Sequence, residues 1–362
     1  MIYYGDAGQY VKETPSVFRK ILFEKNHIFL PCTELIKDKR PSNIYLVGSG
    51  SSYYSAQLAA PFLKKFLGIP VVAVSPINFM EEMEQDLKQA LVCGISQQGT
   101  STGVIRAIDY AKKRGCQVLA CTGEYNTEIV HHGDAVLYVE CGIEDAGATT
   151  KGYTATAFTL ILFGMHMAKV WGRLSEKTEW QYQEQIEQTI VHMEKNLNLK
   201  EEWYEHTAEG LEKCQDLIIL GSSKSRRILP EIVLKFSETC RFPVRGYEAE
   251  EFMHGVYNAV NYNTEFLYLF DGEKESDERL WKLSEYYQKQ GNKQYCINAG
   301  IGKGIEKRFV TNGMFSIFEY ILPIQMLFID VSKRRGINLN IPKDPDFHKH
   351  MNSKIERELK IG

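Results

Sequence analysis

Apolar residues along the chain fall into short runs that end in small polar residues. Residues 44–50, IYLVGSG, run apolar and then break into glycine and serine; an amphipathic stretch and a second apolar run, GIPVVAV, follow. Residues 217–225, LIILGSSKS, repeat this plan and lead through EIVLKFSETC to RFPVRGY. Gly48 and Gly221 stand 173 residues apart, as do the Pro-Val pairs that begin at Pro70 and Pro243. An equal offset at both ends of the unit marks an internal repeat of strand, tight Ser/Gly turn, helix and strand.

In the first half, further apolar runs recur at Ala90–Ile95, Gln117–Cys121 and Ala135–Val139, with helical patterns between them. Continuous apolar strands alternating with helices predict a parallel sheet covered on both faces. The second half offers Leu217–Leu220, Phe266–Phe270 and Tyr295–Asn298 in the same style, with fewer clear strands. The fold class expected is therefore α/β: two tandem three-layer sandwiches with mainly parallel sheets. The bounds read as 1–172 for the first domain with an N-terminal helical segment, 173–213 for a charged helical connector, 214–335 for the second domain, and 336–362 for a polar tail.

Composition narrows the class. With 362 residues, two domains are the natural expectation, and each half is long enough for its own core. A net charge of −3 argues against general nucleic-acid binding and against attraction to anionic lipid. The polar N-terminus lacks signal-peptide character, and the apolar stretch 154–168 is too short to span a bilayer. The eight cysteines fall mostly in apolar runs without C-x-x-C pairs or zinc spacing, as reduced thiols of a cytoplasmic protein do. No metal and no cofactor are expected.

In open parallel sheets, ligands bind beyond the carboxyl ends of the strands. Two strand-to-helix turns there are rich in hydroxyls: Gly48-Ser49-Gly50-Ser51-Ser52, and Ser96-Gln97-Gln98-Gly99-Thr100-Ser101-Thr102. Small residues admit a phosphate to the backbone, hydroxyls donate to its oxygens, and the following helix start favours its charge. A single such turn is equally well a set of caps; two on one sheet point to a phosphomonoester. A dinucleotide fits poorly, because Gly48-x-Gly50-x-x-Tyr53 lacks the third glycine and no acidic residue ends the second strand at Ser75-Pro76.

GSGSSYYSA followed by ISQQGTSTGVIRAI resembles the SIS domain of glucosamine-6-phosphate synthase and the related sugar-phosphate isomerases and deglycases. The resemblance continues through GATTKGYTATAF, EIVLKFSETC, EEFMHG and the tail, in the family's order. It implies phosphate and sugar contacts from Ser51, Ser52, Ser96, Gln97, Gln98 and Ser101, and backbone contacts around Ala148 and Thr149. Gln98 and Thr100 replace the usual serine and glutamate. Glu238 corresponds to the catalytic glutamate and His254, sixteen residues on, to the ring-opening histidine. Lys349 takes the place of an imine-forming lysine if two residues are inserted after Pro342; Lys343, Lys354 and His348 lie close enough to compete. The resemblance further implies a sugar-phosphate substrate and a homodimer whose site takes a histidine from a second subunit. Arg245-Gly246-Tyr247 reads as a short connection that projects His254 outward.

A shift of carbonyl between C1 and C2 needs one carboxylate over one face of an enediol or enaminol, and a histidine near neutrality to open the ring. Ile2 follows Met1, where the synthases carry a cysteine nucleophile, and the SIS region starts within about 40 residues, too few for a glutaminase domain. The leading expectation is deglycation of a 6-phosphorylated fructosamine to glucose 6-phosphate and an amine. The alternatives are an amino-sugar-phosphate deaminase or aldose–ketose isomerase, and a sugar-phosphate-binding protein without turnover.

Overall fold

The computed structural model describes residues 3–82, 87–198, 202–298 and 313–355. Met1 and Ile2, on which the reading about a glutaminase nucleophile falls, lie outside these, as does the tail beyond residue 355. The chain divides into two compact units: Met1–Asp6, Glu13–Gln183 and Asn340–Gly362 form one, and Ala7–Lys12 with Glu184–Leu339 the other.

The elements leading through the first unit are α1 (Ala7–Ile36), β1 (Asn43–Gly48), α2 (Ser51–Leu67), β2 (Val71–Val74), α3 (Pro76–Glu82), β3 (Ala90–Ile95), α4 (Thr102–Lys113), β4 (Gln117–Thr122), β5 (Ala135–Tyr138) and α5 (Lys151–Val170). Among the described residues its sheet has five strands, all parallel, in the order β2-β1-β3-β4-β5. β3 is buried along its whole length, which is why it reads as an unbroken apolar run. Alternate residues serve opposite faces. Tyr45, Val47, Ala90, Val92, Val118 and Ala120 pack with Phe79 of α3 and with Val104, Ile105 and Ile108 of α4. On α5, Phe158 stacks on Phe18 of α1 with ring centroids 3.9 Å apart.

α6 (Glu176–Asn196) and α7 (Glu202–Glu212) occupy the stretch read as a helical connector. Next come β6 (Leu217–Gly221), α8 (Leu229–Cys240), β7 (Val244–Glu248), α9 (Ala249–Phe252), β8 (Glu265–Phe270), α10 (Lys274–Lys289), β9 (Gln294–Asn298) and α11 (Ile317–Arg334). Among the described residues the second sheet has four strands, again parallel, in the order β7-β6-β8-β9. The repeat holds at the level of register: Ile44 pairs with Val71 in the first sheet and Leu217 with Val244 in the second. Aromatic residues fill one face of this sheet, with Phe266 and Tyr268 stacked and Phe270 stacked on Trp281 of α10.

One local reading is corrected. Arg245-Gly246-Tyr247 is not a connection but the middle of edge strand β7, paired residue for residue with Ile218-Ile219-Leu220. Gly246 serves packing there: a Cβ would lie 2.3 Å from Cγ2 of Val233 on α8. A glycine in an edge strand marks close approach of a neighbour as readily as a hinge.

Beyond α11 the tail carries one further turn of helix, α12 (Phe347–His350), and ends its described course at Ile355. All eight cysteines are free thiols, buried except for the half-buried Cys296. Among the described residues no helix is long and apolar enough to cross a membrane.

Candidate functional site

The two hydroxyl-rich turns both emerge at the carboxyl edge of the first sheet, from adjacent strands β1 and β3. The first turn is tight. A Cβ on Gly48 would lie 2.8 Å from the Tyr53 amide nitrogen, and Gly50 has φ 54° and ψ −132°, a conformation open essentially to glycine. Ser51 and Ser52 then begin α2, half-buried at its first two positions.

The second turn is fastened from several sides. Ser96 is buried; its amide continues the sheet by donating to the Cys121 carbonyl at 3.0 Å, and its carbonyl accepts from the Gly99 amide at 2.8 Å. Its Oγ accepts from the Ser101 amide at 3.2 Å, so this hydroxyl shapes the turn as well as lining it. Gly99 has φ +66°, and a Cβ there would lie 1.9 Å from Oγ1 of Thr127. The Gly99 carbonyl in turn accepts from the Ile129 amide at 3.1 Å.

The side chain of Gln97 is committed inward. Its amide nitrogen donates to Cys141 Sγ at 3.1 Å and its oxygen accepts from Thr156 Oγ1 at 2.8 Å. Gln98 and Ser101 are half-buried beside it. Ala148 is buried and Thr149 half-buried in the segment entering α5. The start of that helix is already filled by a side chain that the sequence reading did not single out. Glu144, itself buried, accepts from the amides of Thr150, Lys151 and Gly152 at 2.7–3.0 Å and from Thr150 Oγ1 at 2.8 Å. A glutamate seven residues before the first residue of a helix is outside the usual capping-box spacing, so pattern alone does not flag it.

The second unit holds Glu238 and His254. Glu238 lies near the end of α8 with its side chain 39% exposed, and its Oε2 accepts from Lys235 Nζ at 2.8 Å. Lys235 is buried and also lies 4.0 Å from Oε1 of Glu231, so one ammonium fixes the carboxylate from below. His254 is exposed just after α9, whose start is capped by Glu248 through the amides of Glu250 and Glu251. Lys349 is exposed on α12.

In the corresponding turn of the second unit, two amides are already taken by a carboxylate. Ser223 takes φ 45°, and the amides of Lys224 and Ser225 point at Oδ2 of Asp271, at 2.7 and 3.1 Å. Asp271 follows β8 as Ser96 follows β3. Behind it, Asp277 accepts from the amides of Asp271 and Gly272. Burial, followed by the neighbouring Asp271 charge, pushes the Asp277 carboxyl up to about 6.

Two tandem parallel sheets, the first with a hydroxyl-rich turn at its carboxyl edge and the second with a carboxylate on two amides of its turn, define a double-domain α/β protein. A family profile for the SIS domain matches residues 35–165. The structure of a provisionally assigned phosphosugar isomerase from Clostridium difficile 630 is 30% identical, covers 98% of this chain and 100% of its own, and superposes with a TM-score of 0.90. Two glutamine–fructose-6-phosphate aminotransferases (isomerizing) are also similar. The Clostridium tetani enzyme is 24% identical over 348 residues, covering 92% of this chain, and that of Fusobacterium nucleatum is 26% identical over 250 residues, covering 68%. This chain spans 57% and 41% of the length of those two relatives. The chain belongs to the SIS-domain family and is related to its sugar-phosphate isomerases.

Proposed function

We propose that the protein is a cytoplasmic sugar-phosphate enzyme that transfers a proton between C1 and C2, and that its reaction is deglycation of a 6-phosphorylated fructosamine. The observation that carries this reading is the Ser96–Thr102 turn. Its buried serine, left-handed glycine and fastened backbone make a rigid cradle for a phosphomonoester at the carboxyl edge of the sheet. Ser51, Ser52, Gln98 and Ser101 complete the polar lining, with Ala148 and Thr149 offering backbone groups to the sugar.

The substrate carries its amine on C1 and its carbonyl on C2. Glu238 removes a C1 proton to give an enaminol and returns a proton to C2, leaving a C1 imine; water adds to the imine and the amine departs, giving glucose 6-phosphate. His254 opens the ring by exchanging protons with the ring oxygen and the anomeric hydroxyl. The fixed position of Glu238 on Lys235 suits a base that must serve two adjacent carbons. An imine-forming lysine is ordinarily activated by desolvation. Lys349 is exposed, which favours deglycation over a route through a protein-bound imine.

The test is product analysis on phosphorylated fructosamines and hexosamine phosphates in deuterated water. Glucose 6-phosphate, free amine and deuterium at C2 are the expected products. Free ammonia with a ketose phosphate would assign a deaminase instead, and binding without turnover would remove the enzyme. Glu238→Gln should lower kcat by about 10²–10⁴-fold with little change in binding. The reading includes a homodimer with His254 acting in the second subunit's site. Mixing Glu238→Ala and His254→Ala chains should then restore activity, and a fully active monomer would exclude it.

A further inference from the structure

The tail returns to the first unit and pairs with the very turn described above. The Ile355 amide donates to the Thr100 carbonyl at 2.9 Å, and the Thr102 amide to the Ser353 carbonyl at 3.4 Å; between them Ser101 and Lys354 form an antiparallel bridge. Thr102 Oγ1 adds a bond to the Asn352 carbonyl at 3.0 Å. The approach is shaped by Asn352, whose φ is 50°, and by a hydrogen bond between His348 Nδ1 and Ser353 Oγ at 2.8 Å.

The pattern of these bonds fixes where the side chains go. Amide bonds flank the Ser101–Lys354 pair on both sides and none joins the two residues, so it is the narrow pair of an antiparallel ladder. In such a pair the side chains leave the same face with Cβ atoms about 4.5–5.5 Å apart. Lys354 thus rises beside Ser101, the residue that precedes the first turn of α4. The same bonds take the Thr102 amide, the first of that helix, away from any anion. The turns at 48–52 and 96–102 contain no lysine or arginine. Hydroxyls and amides recognise shape and hydrogen bonding; they leave the anion's charge without a full countercharge.

We propose that Lys354 is the residue that selects the phosphorylated ligand: the tail delivers its ammonium to the phosphate held at Ser96–Thr102, in place of the helix amide that the tail occupies. This rests on the phosphate placement argued above. The bridge itself is made by main-chain groups, so Lys354→Met keeps it while removing the charge.

Calorimetric titration of the full chain with glucose 6-phosphate separates the two claims. Ser96→Ala reports the placement and Lys354→Met the ammonium. Support requires that both weaken binding, Lys354→Met by about tenfold or more, with a shallower dependence on salt and rescue by Lys354→Arg. If Ser96→Ala weakens binding and Lys354→Met matches wild type, the role of Lys354 is overturned and the placement stands. If Ser96→Ala binds as wild type does, the placement fails, and this proposal with it. A loss in Lys354→Met that is independent of salt, or that arginine does not rescue, also overturns it, because the side chain would then act through packing.

Discussion

Single side chains decide how the candidate site is built, and several act on the backbone rather than on a ligand. Glu144 satisfies three amides at the start of α5 that would otherwise be buried without partners. Glu144→Ala should therefore destabilise the protein by at least ~2 kcal/mol, since hydrogen bonds to a charged group contribute about 1.5–3 kcal/mol each; chemical denaturation checks this. Asp277 makes the opposite kind of contribution. Its folded pKa of about 6 lies above the unfolded value of about 3.9. Between these values the folded state holds more of the proton, so the group's stabilising share is present below pH ~4 and is lost as pH rises through 6. The melting temperature of Asp277→Asn relative to wild type should accordingly be more favourable at pH 7 than at pH 4.5. A constant difference across that range would mean that the carboxyl titrates normally.

At the scale of elements, strands were the most legible part of the sequence. Burial on both faces of a parallel sheet removes alternation, and runs such as Ala90–Ile95 announce themselves. The edge strand β7 was harder, because Gly246 within it has the look of a hinge while acting as a contact for α8. The serines of both turns could be read from their place after apolar runs. The fastening of the second turn could not. The tail pairs with it through main-chain amides between Thr102 and Ser353 and between Ile355 and Thr100, far apart in the chain, and main-chain pairing leaves little trace in side-chain identity. Glycines in these turns allow a sharper test of the cradle. At Gly99 an alanine meets both a left-handed φ and Thr127, whereas at Gly50 nothing lies within 4 Å and only backbone strain remains. Gly50→Ala should cost about 1–3 kcal/mol, the usual size of such strain. Gly99→Ala should cost more and should also weaken phosphate binding by displacing the loop at Thr127, as denaturation and titration would report.

Across the whole molecule, the repeat bears on how many phosphates the proposed site would let one chain bind. Both units carry a parallel sheet with the same order about its first strands, and the paired registers Ile44–Val71 and Leu217–Val244 keep the offset of 173 residues. Shared ancestry of form would provide two anion turns. The residue after the third strand distinguishes them: Ser96 in the first unit and Asp271 in the second. Asp271 lays its carboxylate on the amides of Lys224 and Ser225, the donors that a phosphate would need. A second buried carboxyl, Asp277, stands behind it and adds negative charge to the same place. Lys224, which could have drawn an anion, is paired with Glu273 at 2.6 Å. A phosphate entering that turn would have to displace an internal carboxylate and face its repulsion, at an effective dielectric that screens charge poorly. Titration with glucose 6-phosphate should therefore give one site per chain. Lys224→Ala should leave that binding unchanged, whereas Ser96→Ala should weaken it strongly. Two equivalent sites per chain, or loss of binding on replacing Lys224, would show that the second turn opens to ligand and that Asp271 is a gate and not a plug.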